Sequence, residues 1–138
     1  NFIVGFPGES ESEYQELVDF INSARLDAIG IFGYSDEDNT EALTLTGKLE
    51  QGLINERVDV LARLADEMVT QRAQARIGET VRVLIEDHEL QEGRAAHQGP
   101  DVDGTTTITD SPAEFAVGQY VDAVVIDSMG ADLVARPL

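Results

Sequence analysis

Gly78-Glu79-Thr80-Val81-Arg82-Val83-Leu84-Ile85-Glu86-Asp87 is where the chain changes its period. Beyond Gly78 the residues Val81, Val83 and Ile85 alternate with Thr80, Arg82 and Leu84, as in a strand with one buried face. Going forward, strands are predicted near 93–97, 104–109, 119–127 and 131–136. Turn signals separate them at Glu92-Gly93, Gly99-Pro100, Asp103-Gly104, Gly118 and Gly130. Five short strands in about sixty residues predict a small closed antiparallel barrel on the scale of an OB-fold.

Going backward, Ile54, Val58, Leu61, Leu64 or Ala65, and Met68 mark an amphipathic helix. Its predicted span is about Leu53 to Arg76, with Gly78 as the stop. Residues 35–52 are polar and irregular. Before them, Phe2-Ile3-Val4-Gly5-Phe6 is a short apolar run that stops at Pro7-Gly8, as a buried parallel strand does. Ser10 and Glu13 fit a capping box, and Tyr14, Leu17, Val18 and Ile21 follow at helical spacing. Ala28 to Tyr34 reads as a second strand, completing a βαβ unit. The fold class is therefore α/β plus all-β, with domains at 1–77 and 78–138.

Composition narrows the chemistry. The 138 residues contain no cysteine, so disulfides, zinc-thiolate sites and thiolate-held clusters are excluded from this stretch. His88 and His97 are the only histidines. No apolar run approaches a membrane span and no signal peptide is visible, which predicts a cytoplasmic protein without membrane contact. The chain opens on Asn1 inside an apolar strand pattern, so it is expected to be a piece of a longer product. The net charge is −18; residues 1–77 carry 15 acids and 6 bases, and residues 78–138 carry 12 acids and 3 bases. Such a surface suits either a basic protein partner or plain solubility, and charge alone favours the second.

Three stretches could carry chemistry. Ile3 to Glu9 ends a strand with glycines that let a ligand approach the backbone, although a tight β–α turn uses the same residues. Tyr34-Ser35-Asp36-Glu37-Asp38-Asn39-Thr40 leaves the second strand with three acids. These suit metal or acid–base work or a solvated loop, and no His or Lys stands close by in sequence. Glu86-Asp87-His88-Glu89 reads as a metal-ligand set or a polar hairpin. No Walker loop, zinc motif or nucleophilic triad is present.

The order of motifs adds a family. Phe2-Ile3-Val4-Gly5-Phe6-Pro7-Gly8-Glu9, then Phe32-Gly33-Tyr34-Ser35 with Glu37 and Thr40, then Glu56-Arg57 in the long helix, then Gly78 through Asp87 run in the order of one family. They resemble the C-terminal part of the radical S-adenosylmethionine methylthiotransferases, ending in a TRAM module. The resemblance implies that residues 1–77 are the last units of a TIM-like radical-SAM barrel with a connecting helix.

Gly93-Arg94-Ala95-Ala96-His97-Gln98-Gly99-Pro100-Asp101-Val102-Asp103-Gly104 looks like the G-R-x-x-x-x-A-P-E-x-D-G signature of one branch of that family. That branch methylthiolates an aspartate on protein twelve, a decoding-centre protein of the small ribosomal subunit. Gly99 and Asp101 replace Ala and Glu, and Asn39 stands where Gly usually precedes Thr40; Asn tolerates left-handed backbone. The alternatives are the tRNA adenosine methylthiotransferase branch and a stand-alone protein-binding module. A module with only Arg82, Arg94 and Arg136 as bases should repel tRNA and attract a basic ribosomal protein.

By resemblance, the full-length parent uses S-adenosylmethionine and two four-iron four-sulfur clusters and is monomeric. The cluster cysteines are not in this stretch, so it should hold no cluster, supply no catalytic residue and be inactive alone. Ile3, Gly5, Tyr34 and Ser35 are the expected wall of the S-adenosylmethionine pocket. The family pattern I-x-G-x-x-E puts Glu at position 8, where Gly8 stands, with Glu9 one later. Glu86, Asp87, Glu89, Glu92, Asp101 and Asp103 are the expected partner-binding acids.

Overall fold

The computed structural model describes residues 1–138 and divides into two compact units, Asn1–Met68 and Val69–Leu138. In the first unit, strand β1 (Phe2–Val4) pairs in parallel with β2 (Ile31–Gly33), and helix α1 (Glu11–Ala24) connects them. Helix α2 (Gln51–Gln74) follows a short 3-10 turn at Glu41–Thr44. The capping box forms as its spacing predicts: Glu13 N–H donates to Ser10 Oγ at 3.2 Å, and Ser10 N–H donates to Glu13 Oε2 at 2.8 Å. Glu13 Oε2 also accepts from the Ser10 hydroxyl at 2.9 Å, and the backbone and hydroxyl bonds from Ser10 favour the ionised carboxylate and hold its pKa below the usual value. Arg25 ends α1 in the left-handed region.

The sheet has one covered face. Val4, Ile21 and Leu61 are fully buried, with Tyr14, Leu17, Val18, Val58 and Leu64 packed around them. On the opposite face Ile3 and its register partner Phe32 stay 62% and 55% exposed. The expected barrel units are not present as a barrel, because two strands cannot close one. Strand β2 is also shorter than the predicted run from Ala28, since β1 offers only three residues to pair with.

In the second unit, β3 (Thr80–Asp87), β4 (Glu92–Ala95), β5 (Thr106–Ile108), β6 (Tyr120–Met129) and β7 (Asp132–Pro137) close a barrel in the order β3-β4-β5-β7-β6. The period-two pattern sends Val81, Val83, Ile85, Val121, Ala123, Val125, Leu133 and Ala135 into its interior, joined by Ala73 of α2 and by Phe115. The expectation of an antiparallel barrel is corrected at one seam. Strands β5 and β7 pair in parallel, Thr106 with Leu133 and Ile108 with Ala135. The reason is parity: five strands in a closed ring cannot all alternate in direction, so at least one neighbouring pair must run parallel.

Candidate functional site

The bare face of the first unit's sheet floors a groove of about 600 Å³. Ile3 and Phe32 point into it from the strands, and Phe6, Tyr34, Ser35, Glu37 and Thr40 complete its walls. Phe6 meets Tyr34 edge-on, with ring centroids 5.4 Å apart. The structure thus brings together Ile3, Tyr34 and Ser35 of the four expected pocket residues. Gly5 faces the other way: its N–H donates to Glu9 Oε2 at 2.9 Å, and a Cβ there would lie 2.6 Å from Ile54 Cγ1. Sequence reading does not single out Phe6 and Phe32 for the pocket. The strand alternation that buries Val4 and exposes Ile3 carries the signal for Phe32.

The acidic loop beside the groove is bonded within itself. Tyr34 donates its hydroxyl to Asp36 Oδ1 at 2.8 Å, and Lys48 Nζ sits 2.7 Å from both Asp36 oxygens. The Lys48 and Tyr34 hydrogen bonds lower the Asp36 pKa, and the bond to Asp36 raises that of Tyr34. Lys48 is thus the cationic partner that the local sequence did not reveal. Ser35 Oγ donates to Glu37 Oε1 at 2.9 Å, and Asn39 takes the left-handed conformation at φ 64.

A second cluster of polar contacts lies behind the groove. Arg57 Nη1 donates to Glu9 Oε1 at 2.7 Å and Nη2 to Glu11 Oε2 at 2.8 Å, and the guanidinium lies over the Tyr14 ring. Burial opposes the Arg57 charge, but the two carboxylates outweigh it and the pKa is raised.

On the barrel, the six expected partner-binding acids divide by what they touch. Glu86 accepts from Arg94 Nε at 2.7 Å, Asp87 Oδ1 caps the Leu90 N–H at 2.9 Å, and Asp103 Oδ2 accepts from Gly99 N–H at 2.9 Å. Glu86, Glu92 and Asp101 line a cleft of about 300 Å³ beside Arg94. Glu89 stands exposed in the β3–β4 turn. His88 turns away from these acids: its Nδ1 lies 3.1 Å from the Phe115 carbonyl oxygen and its Nε2 lies 3.6 Å from Glu114. The stretch from Glu86 to Glu89 therefore splays its side chains. Nowhere in the structure do three or more histidine or carboxylate residues gather as a metal-binding group. A neighbouring cleft of about 260 Å³ is lined by Arg82, Leu84, Arg94 and Tyr120, with Arg82 over the Tyr120 ring.

Residues 77–138 match the family model described as the TRAM domain. Over its whole length the chain is 53% identical to a protein of Streptomyces coelicolor named ribosomal protein uS12 methylthiotransferase RimO, covering 29% of that protein. Proteins of the same name match across the whole chain at 54% identity in Kineococcus radiotolerans and 53% in Saccharopolyspora erythraea, with 30% and 29% of each covered. The chain thus spans about three tenths of the length of the curated relatives it matches. The chain is similar from end to end to the C-terminal part of proteins named ribosomal protein uS12 methylthiotransferase, and its residues 77–138 match the TRAM domain.

Proposed function

We propose that this chain is the C-terminal part of a cytoplasmic enzyme that methylthiolates an aspartate of ribosomal protein uS12. The observation that carries the reading is the end-to-end match, at more than half identity, to proteins of that name. In this reading residues 1–77 are the end of the radical-SAM part with its connecting helix, and residues 78–138 are the substrate-binding TRAM module. The parent, a monomer, uses S-adenosylmethionine and two four-iron four-sulfur clusters. This stretch, having no cysteine, offers no thiolate to hold them and is inactive alone. No helix of the structure is long and apolar enough to cross a membrane.

The groove fits the adenosine part of S-adenosylmethionine in its chemistry. Ile3, Phe6, Phe32 and Tyr34 offer apolar and aromatic surface for a purine, and Ser35 and Thr40 offer hydroxyls beside it. When bound, S-adenosylmethionine supplies the methyl group and the radical of the reaction. Gly5 contributes through the backbone turn behind Phe6 and without touching the ligand.

The barrel recognises a basic small-subunit ribosomal protein, with Glu86, Asp87, Glu89, Glu92, Asp101 and Asp103 as its acidic rim, and does not bind tRNA. Net −9 over residues 78–138 supports this, because rim charges of one sign steer an opposite partner. One observation favours the tRNA-modifying alternative: two of the barrel's three arginines flank the Tyr120 cleft, a pairing of cation and ring that also suits bases and phosphates. The test is association of the protein with uS12 and with tRNA at two salt concentrations. Glu89→Lys and Glu92→Lys together should slow uS12 association and flatten its salt response. Tighter binding to tRNA than to uS12 at low salt would promote the sibling branch.

A further inference from the structure

The wall of the groove is set from behind. Phe6 belongs to the tight turn Gly5-Phe6-Pro7-Gly8, in which Gly5 and Gly8 have φ of 79 and 88 and Glu9 N–H donates to the Phe6 carbonyl at 2.9 Å. Glu9 holds that turn with both carboxylate oxygens. One accepts the Gly5 N–H at 2.9 Å and the other accepts from Arg57 at 2.7 Å. Arg57 is only 5% exposed and the Glu9 side chain 12%, so neither charge has water as a ready substitute. Arg57 and Ile54 project from the same helix, and Ile54 packs so closely on Gly5 that no side chain fits between them.

We infer that Arg57 and Glu9 are positioning residues for the groove: they fix the depth of the Gly5–Gly8 turn and so the place where Phe6 meets Tyr34. As far as it names a ligand, the inference rests on the S-adenosylmethionine reading of the groove. Glu9 is the only link from Arg57 to the turn, while Glu11, the other partner of Arg57, is 79% exposed and lies outside it. Loss of the Glu9 link therefore frees the turn, and loss of the Glu11 link does not.

The test uses the full-length protein with Glu9→Gln, Arg57→Lys, Arg57→Met and, for comparison, Glu11→Gln. Two quantities are read: exchange of the Gly5 amide hydrogen, and the Kd for S-adenosylhomocysteine. Glu9→Gln and Arg57→Met should speed Gly5 exchange about tenfold or more while the Tyr14 amide in α1 keeps its rate. They should weaken S-adenosylhomocysteine about tenfold, a loss expected when a contact surface moves by a fraction of an ångström. Arg57→Lys, which keeps the charge, should fall between, and Glu11→Gln should match the parent. Uniform acceleration of Gly5 and Tyr14 with an unchanged Kd would overturn the inference, since the pair would then serve general stability. A local change at Gly5 in a protein that does not bind S-adenosylhomocysteine would support the positioning role and refute the ligand reading.

Discussion

Gln98 offers the sharpest test of how the barrel is held together. It is 2% exposed and makes three hydrogen bonds with its amide. Oε1 accepts the Ala95 N–H at 2.9 Å and the Thr106 hydroxyl at 2.7 Å, and Nε2 donates to the Thr105 carbonyl at 2.9 Å. It thereby ties the end of β4 to the start of β5, a pair of strands joined by only two register positions, Glu92 with Thr107 and Gly93 with Thr106. Gln98→Met keeps the volume and strands two polar groups, the Ala95 N–H and the Thr106 hydroxyl, while the Thr105 carbonyl still accepts the Leu133 N–H at 2.9 Å. Thr106 is fully buried and Ala95 nearly so, so both groups have little access to water. At about 1–3 kcal/mol for each unsatisfied buried group, the loss should total about 2–6 kcal/mol.

Thr106→Val in the same background removes the orphaned hydroxyl and should return about 1–2 kcal/mol, so the two substitutions must be coupled. A melt of the whole chain would blend the two units, so the assay is native-state amide exchange at Ile85 and Val125 of the barrel. Exchange there should rise by about two to four orders of magnitude, at 1.36 kcal/mol for each tenfold step. A cost below about 1 kcal/mol, or strict additivity in the double variant, would refute the reasoning.

Two further substitutions probe the first unit. Gly5→Ala forces a side chain into left-handed backbone and to 2.6 Å from Ile54 Cγ1, so it should cost about 2–4 kcal/mol by amide exchange at Tyr14, with part regained by Ile54→Ala. Ser10→Ala removes the hydroxyl that helps to lower the Glu13 pKa and keeps the backbone N–H that lowers it most, so a carbon-13 titration should find the Glu13 pKa raised only part of the way toward its usual value. In the parent that stabilisation is complete above the usual value and lost as pH falls through the lowered one; in Ser10→Ala this acid-dependent loss should shrink to the share held by the backbone N–H.

Features set by neighbours in sequence were legible, and those set by distant ones were not. The capping box needs only Ser10 and Glu13, the barrel strands need only alternation, and the left-handed Asn39 needs only an asparagine where glycine is usual. Each is a local rule with one dominant outcome. The parallel seam of β5 and β7 joins Thr106 to Leu133, and no local pattern encodes the direction in which a strand returns. The same holds for Lys48 on Asp36 and Arg57 on Glu9, which are 12 and 48 residues apart. The pocket was legible in part because strand alternation shows which side chains share a face. It does not show which face stays bare, so it singles out neither Phe32 as a groove residue nor the packing of Gly5 against Ile54.

The stretch from Gly93 to Gly104, which resembles a branch signature, is held largely by contacts within the barrel. Gly93 lies so close to the Leu84 carbonyl that no Cβ fits, Arg94 pairs with Glu86, and Gln98 ties β4 to β5. Asp103 caps Gly99, and Gly104 has φ +81 with the Ala131 carbonyl 2.9 Å from where a Cβ would be. Most of the motif is therefore needed to turn the chain between two short strands, and replacing those residues would damage the barrel before it altered recognition. A residue that reports on binding must have no such duty. Glu89 in the β3–β4 turn and Glu92 in the cleft beside Arg94 meet that condition, since neither has a side-chain bond within the barrel, whereas Asp101 holds left-handed backbone at φ 65 that a lysine would strain. Reversing Glu89 and Glu92 changes the potential of the rim and leaves the hydrogen bonds of the loop intact, whereas reversing Glu86 or Asp87 would also remove the partner of Arg94 or the cap of Leu90. Only the first set can separate electrostatic steering from a misfolded hairpin.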